Sequence, residues 1–185
     1  MQKLIPILIG TILSSACAQK YLTVSSQDYS PETQNNTIEI SSGSYSFYGE
    51  VTKVHDGDSV WVKPEGEDKY VIRLQGIDSP ELAMEYGSEA RDTLYDYVFG
   101  KNVLASCNKI DVYSRHVCVI YLGNTDANLR QVSLGSAWHY KDYQDEQSAQ
   151  ERIDYSNAEI KAKTSRRGLW GDSKPIPPWQ YRSEN

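Results

Sequence analysis

The sequence predicts an α+β fold made mainly of β structure, a five-stranded Greek-key barrel with three helices. Three observations lead there. Five short runs have strand character: Phe47–Val54, Ser59–Lys63, Lys69–Gln75, Asn102–Cys107 and Arg115–Tyr121. A helical segment, Ser88–Phe99, follows the third run, and two more, Ala127–Leu134 and Asp145–Ser165, follow the fifth. Three strands, a helix, two strands and two helices is the order of a small barrel of OB type, with its strands expected to pair antiparallel.

Turn and cap chemistry supports each boundary. Asp56-Gly57 turns the chain between the first two strands, and Pro64-Glu65-Gly66 between the next two. Asp78-Ser79-Pro80 ends the third strand region, because proline has no N–H to continue a ladder. Ser88 is the candidate N-cap of the first helix, Arg91, Leu94, Tyr95 and Val98 share its spacing, and Gly100 stops it. Gly123-Asn124 is a further turn, and Gly135 ends the second helix. Ala149, Ile153 and Ile160 mark the expected apolar stripe of the third, which Gly168 stops. Lys161, Lys163, Arg166 and Arg167 near its end suit the negative end of a helix dipole as well as they suit a ligand. The aromatic tail, Leu169-Trp170 and Pro175–Trp179, is expected to pack back on the domain.

The chain has 185 residues, and its start reads as a targeting segment. Met1–Ala18 carries Lys3, an apolar run Leu4–Leu13 broken by Pro6, and then small residues, a pattern too short to span a membrane. Two cleavage readings stand. Ala16-Cys17-Ala18 fits cleavage before Gln19, whereas Ser14-Ser15-Ala16-Cys17 fits a lipoprotein signal ending at Ala16 with a lipid on Cys17. Both predict export, with the product secreted, periplasmic or lipid-anchored at the cell envelope. Membrane attachment would arise only through that lipid. Residues 19–44 are rich in Ser, Thr, Asn and Gln and read as a disordered linker. Residues 45–182 remain, about 140, enough for one domain with a core of its own. Cys107 and Cys118 form an even pair in an exported chain, and a disulfide and two buried thiols both fit. Neither a CxxC pair nor clustered histidines suggest zinc.

Chemistry concentrates between His55 and Glu81. Asp56 and Asp58 precede the second strand, Arg73 lies on the third, and Asp78 and Glu81 follow it. If those strands pair as a hairpin, the acids meet at one end, where they repel unless a cation sits among them. Asp58 and Asp78, with a backbone carbonyl such as that of Ser79, make an oxygen-only set, which favours Ca²⁺ or Mg²⁺ over zinc. Asp56 is placed to act through a bound water. Arg73 and Arg115 can clamp a phosphate and stabilise its extra charge in a transition state. Glu81 can take a proton from water. Taken singly, each also has a bland reading: a β-turn for Asp56-Gly57-Asp58, a salt bridge for either arginine, a loop glutamate for Glu81. The charge adds a constraint. There are 25 acidic against 19 basic residues, a formal charge of −6, so bulk electrostatics cannot hold a polyanion. A nucleic acid must be held by a local positive site or with the help of a metal.

The motifs VHDGDS (Val54–Ser59), RLQGIDSPE (Arg73–Glu81), EYGSEA (Glu85–Ala90), DVYSR (Asp111–Arg115) and the segment Ala158–Trp170 with its RRGLW ending occur in one order across Tyr48–Arg182. On these the sequence resembles the staphylococcal nuclease (thermonuclease) family. The resemblance implies a Ca²⁺-dependent hydrolase that cuts DNA and RNA and leaves 3′-phosphate ends. It implies Asp58, Asp78 and the carbonyl of Ser79 as metal ligands, Asp56 as an acid acting through water, Arg73 and Arg115 on the scissile phosphate, and Glu81 as general base. Tyr113 falls where the family contacts a terminal phosphate, and Tyr140 where a base can stack. Single-stranded DNA, RNA and opened duplex DNA are the implied partners. No protein partner is implied, and a monomer is expected. The sequence departs from the family at Ser79 (often threonine), at Ser114 (often glycine) and at Val112 (a lysine in the best-known member), and the loop after Glu81 is shorter. The alternative is a non-catalytic OB-type module that binds nucleic acid or protein. Relatives of that kind tend to lose the acids or arginines that are intact here.

Overall fold

A computed structural model describes residues 43–185. The expected signal and nearly all of the expected linker, residues 1–42, lie outside the described residues. The strands are β1 (Tyr45–Val54), β2 (Ser59–Lys63), β3 (Tyr70–Leu74), β4 (Ile77–Asp78), β5 (Asn102–Ile110), β6 (His116–Leu122), β7 (Thr125–Asp126) and β8 (Trp138–His139). The helices are α1 (Gly87–Val98), α2 (Ala127–Leu134), α3 (Ala149–Thr164) and α4 (Pro178–Glu184), with 3₁₀ turns at Lys141–Glu146 and Gly168–Gly171. Strands β1, β2, β3, β5 and β6 form the expected five-stranded barrel. Its order is β3-β2-β1-β5-β6, and β3 pairs with β6 to close it.

That closing pair is parallel, which corrects the expectation of antiparallel pairing throughout. The reason is topological. When four successive antiparallel steps link five strands, the first and last run the same way. The parallel register sets Ile72 opposite His116, and so brings Arg115, just ahead of β6, to the strand that carries Arg73. The antiparallel hairpin sets Ser59 opposite Arg73, and so places Asp58 there too.

The barrel interior is filled by Val51, Val60, Val62, Ile72, Leu74, Val103, Ala105 and Ile120, with Ala90, Leu94 and Val98 of α1 also buried. Burying such side chains contributes roughly 1.5–3 kcal/mol each. Cys107 and Cys118 are opposite residues of the β5–β6 pair and are joined by a disulfide.

Local details differ from the sequence reading at the helices. The N-cap of α1 is Tyr86 at φ 68° with no side-chain cap, not Ser88, because the chain enters from a tight turn. The carbonyl of Glu81 lies against the α-carbon of Gly87 so closely that any side chain there would collide with it. Arg91 and Tyr95, placed on the same stripe as Leu94 and Val98, stay partly exposed. Helix α3 starts after Ser148 rather than at Asp145. Ser148 accepts the N–H of Glu151, and the Glu151 carboxylate accepts the N–H of Ser148, a reciprocal cap that fixes the start. Its buried face is Tyr155, Glu159 and Ala162, whereas Ile153 and Ile160 are more than half exposed, at 54% and 59%. The apolar spacing misled because a glutamate and a tyrosine hold the inner face: Tyr155 donates to Asp126 at 2.8 Å, and Glu159 accepts the His139 N–H at 3.1 Å. The tail packs back as expected, with Leu169 and Trp170 buried and Trp179 against Trp138.

Candidate active site

A cleft of about 830 Å³ opens at the barrel end where β3 meets β6. Asp56, Asp58, Arg73, Asp78, Ser79, Glu81, Tyr113, Arg115 and Tyr140 all line it, so every predicted site residue faces one space.

The acid wall is rigid. Asp58 is 5% exposed and Asp78 1%. The carboxylate of Asp58 accepts the Ser79 N–H at 2.7 Å and the Ser59 hydroxyl at 3.1 Å. Arg73 reaches both acids, at 3.4 Å from Asp58 and 3.0 Å from Asp78, and donates to the Leu74 carbonyl at 2.8 Å. The turn beneath them is packed from behind. A Cβ on Gly57 would lie 2.7 Å from that of Ser79, and Gln131 donates to the Gly57 and Ala90 carbonyls at 3.0 Å. Asp56 caps the turn by accepting the Asp58 N–H at 3.0 Å. Burial, then the charge of Asp58, pushes the carboxyl of Asp56 up to about 7. Burial also raises that of Asp78, against the opposing pull of its arginines.

A second wall is the turn between β5 and β6. Asp111 accepts the backbone N–H groups of Tyr113 and Arg115 and holds the Arg115 guanidinium at 2.8 Å. Burial would raise this carboxyl, but its bonds to Arg115 and Tyr113 outweigh that and lower it. Ser114 adopts φ 63°, the left-handed conformation that glycine takes at little cost, which is consistent with the glycine that the family often has there. Tyr113 is largely exposed, with the guanidinium of Arg115 5.4 Å from its ring centre. Strand β8 pairs with β4, setting Trp138 opposite Asp78, and the Tyr140 N–H donates to the Gly76 carbonyl at 2.9 Å.

Helix α4 makes contacts at the site that the sequence reading did not assign, through Arg182, which lines the cleft, and Trp179, read only as part of the aromatic tail. Arg182 donates to Asp78 at 2.8 and 3.3 Å and to Glu81 at 2.7 Å. Trp179 stacks on Tyr140 with ring centres 5.3 Å apart and planes 16° apart. The aromatic tail was the one signal for either. The basic cluster after α3 is accounted for structurally: Lys163 pairs with Glu159, Arg166 bonds the Gly171 carbonyl, and Arg167 bonds that of Ser133.

The donor set suits a hard dication. Among the described residues no three His, Cys, Asp or Glu side chains converge closely enough to hold a metal by themselves. A metal here would therefore need Asp58 and Asp78 together with backbone oxygen and water. Asp58, Asp78 and Glu81 gather at one side of the cleft, and the two acids nearest Arg73 are buried, a setting in which a dication would offset carboxylate charge.

A family profile described as "Staphylococcal nuclease homologue" matches residues 71–172, more than half of the chain. The chain belongs to this family. Among relatives, 134 residues are 34% identical to an uncharacterized endonuclease of Haemophilus influenzae, over 72% of each chain. A similar Escherichia coli protein, also called an uncharacterized endonuclease, is 32% identical over 136 residues, 73% of this chain and 84% of its own. A probable staphylococcal-like nuclease of Oryza sativa subsp. japonica is 37% identical over 116 residues, 63% of this chain but only 29% of that longer protein. The family match includes Arg73, Asp78, Glu81 and Arg115.

Proposed function

We propose that this family member is a Ca²⁺-dependent, sugar-nonspecific nuclease that hydrolyses phosphodiester bonds of single-stranded or opened DNA and of RNA to 3′-phosphate products. The observation that supports this reading is the meeting, in one cleft, of two buried carboxylates, a third at its edge and two arginines, one on β3 and one in the turn before β6. Asp58 and Asp78, with the Ser79 carbonyl, would hold the metal. When bound, it would add positive charge next to the phosphate and make the phosphorus more open to attack. Arg73 and Arg115 would grip the non-bridging oxygens and stabilise the charge that grows in the pentacovalent transition state. Glu81 would orient a water and take its proton as the new P–O bond forms. The 5′ oxygen leaves, so the phosphate stays on the 3′ side. Tyr113 would contact a terminal phosphate, and Tyr140 would stack a base. Export belongs to the same reading, and the Cys107–Cys118 disulfide favours an oxidising compartment.

The test is digestion of single-stranded DNA and RNA by the purified protein with Ca²⁺, with Mg²⁺ and with chelator, beside Arg73→Ala and Glu81→Ala. The expected result is cutting with Ca²⁺, lost in both variants, with fragment ends that accept a 5′ label without prior dephosphorylation. A folded protein that binds single strands but cuts nothing with either metal would make it a binding module instead.

A further inference from the structure

Helix α4 engages three groups that the proposed chemistry needs free. Arg182 bonds both oxygens of Asp78, the most buried acid of the cleft. The same guanidinium bonds Glu81. One turn earlier, Trp179 lies flat on Tyr140. Cation on carboxylates and ring on ring reproduce, within one short helix, what a metal and a nucleobase would do at these places. The two contacts come from different side chains and use different physics, so neither explains the other.

We propose that α4 is a tethered plug. Arg182 stands in for the metal at Asp78 and Glu81, Trp179 stands in for a base on Tyr140, and the site becomes competent only when the helix withdraws. This rests on reading the cleft as a metal-dependent nuclease site. A metal bound to Asp78 would lie within a few ångströms of the Arg182 guanidinium, where like charges repel. A guanidinium keeps its proton in proteins, so Arg182 cannot shed its charge to relieve this. It must move.

The helix is built so that it can. It has 7 residues, and of these only Pro178 is buried. A helix this short has little stability of its own. Pro175 and Pro177 in the preceding segment limit its own helical pairing. What fixes α4 is therefore mostly Arg182, Trp179 on Tyr140, and Trp179 against Trp138 at 5.4 Å. Elements with so few buried contacts open at low free-energy cost. Linkage makes the effect reciprocal: whatever factor Arg182 takes from metal affinity, bound metal takes from helix docking.

The experiment is calorimetric titration of Ca²⁺ into the full chain and into Arg182→Ala, Arg182→Lys and Trp179→Ala, with amide hydrogen exchange of residues 178–184 followed with and without Ca²⁺. Arg182→Ala should bind Ca²⁺ about 5–150-fold tighter. Arg182→Lys, which keeps the charge but loses the planar fork, should fall between, and Trp179→Ala should shift affinity the same way by less. Ca²⁺ should speed exchange in α4 of the unaltered protein. Equal or weaker Ca²⁺ binding by Arg182→Ala overturns the plug and leaves the metal reading standing. So does Ca²⁺ binding that leaves α4 exchange unchanged. A loss of turnover in Arg182→Ala at saturating Ca²⁺, with Ca²⁺ affinity unchanged, would also overturn it and make Arg182 a third phosphate-binding arginine. No Ca²⁺ binding by any of the four proteins sinks the metal reading, and the plug with it.

Discussion

The two walls of the cleft each present an arginine, but they hold it differently. Arg73 is 15% exposed and tied to Asp58, Asp78 and a backbone carbonyl, on a strand at the barrel's closing seam. Arg115 is 33% exposed and has one carboxylate partner, Asp111, in a turn whose Val112 and Tyr113 point into solvent. The first guanidinium neutralises buried charge, so the fold depends on it. The second is delivered by a turn and could be removed with little change to the core. If both arginines serve hydrolysis as proposed, function and stability are coupled on one wall and separable on the other.

The largest effect should show that contrast. Arg73→Ala and Arg115→Ala should each lower single-strand hydrolysis by about 10²–10³. In chelator, Arg73→Ala should also cost about 3 kcal/mol of stability, because it leaves buried carboxylates short of a partner. Arg115→Ala should cost less, about 1 kcal/mol, because its pair with Asp111 is more open to water than those of Arg73. Urea unfolding of the two variants decides it, and equal losses would remove the distinction between the walls.

Next comes the tether of the turn. Cys107 and Cys118 join the two strands that flank the Arg115 turn, with a sequence separation of 11. Replacing both by Ala should cost about 2–3 kcal/mol, chiefly by freeing the unfolded chain. Hydrolysis well below the melting temperature should persist, since the β5–β6 ladder still sets the turn. Loss of activity in a still-folded variant would mean that the bridge positions Arg115 directly.

The acid wall has its own buttress. Glu159, 3% exposed, accepts the His139 N–H of β8 and pairs with Lys141 at 2.8 Å and Lys163 at 3.0 Å. Burial would raise its carboxyl, but the two lysines outweigh that and hold it below the ordinary 4.5. The stability it contributes is therefore full above that value and is lost as pH falls through the lowered one. Glu159→Gln should cost about 1–2 kcal/mol at neutral pH. It should also flatten the acid limb of a stability–pH curve measured by urea unfolding. A parallel downward shift of the whole curve, slope unchanged, would assign the acid loss to other carboxylates.

Much of this was legible in the sequence because turn chemistry is local. Asp56-Gly57, Pro64-Glu65-Gly66 and Gly135 each fixed a boundary, and the β2 and α2 ranges agree with the structure residue for residue. The site acids were legible because a hairpin must bring Asp58 and Arg73 together once β2 and β3 pair. The parallel seam was harder to see, since it follows from the number of strands and not from any residue pattern. The inner face of α3 was hidden because Glu159 and Tyr155 are buried through partners far away in sequence. Arg182 was hidden for the same reason: its partners Asp78 and Glu81 lie about a hundred residues earlier, and nothing around it marks it as buried or paired.

The smallest effect lies at the rim of the looser wall. Val112 is 92% exposed, beside Tyr113 and three residues from Arg115, on a protein whose net charge repels polyanions. Among the described residues it is almost fully open to solvent, so Val112→Lys should leave the melting temperature unchanged. A lysine there would add one positive charge at the cleft lining, three residues from Arg115. Binding of an oligothymidylate by the Glu81→Gln protein should then tighten, and the slope of log affinity against log salt should steepen by about 0.7, the release expected for one more phosphate contact on a single strand. An unchanged slope would place the strand's path away from the β5–β6 turn. It would also confine the role proposed for Arg115 to the scissile phosphate, with no part in holding its neighbours.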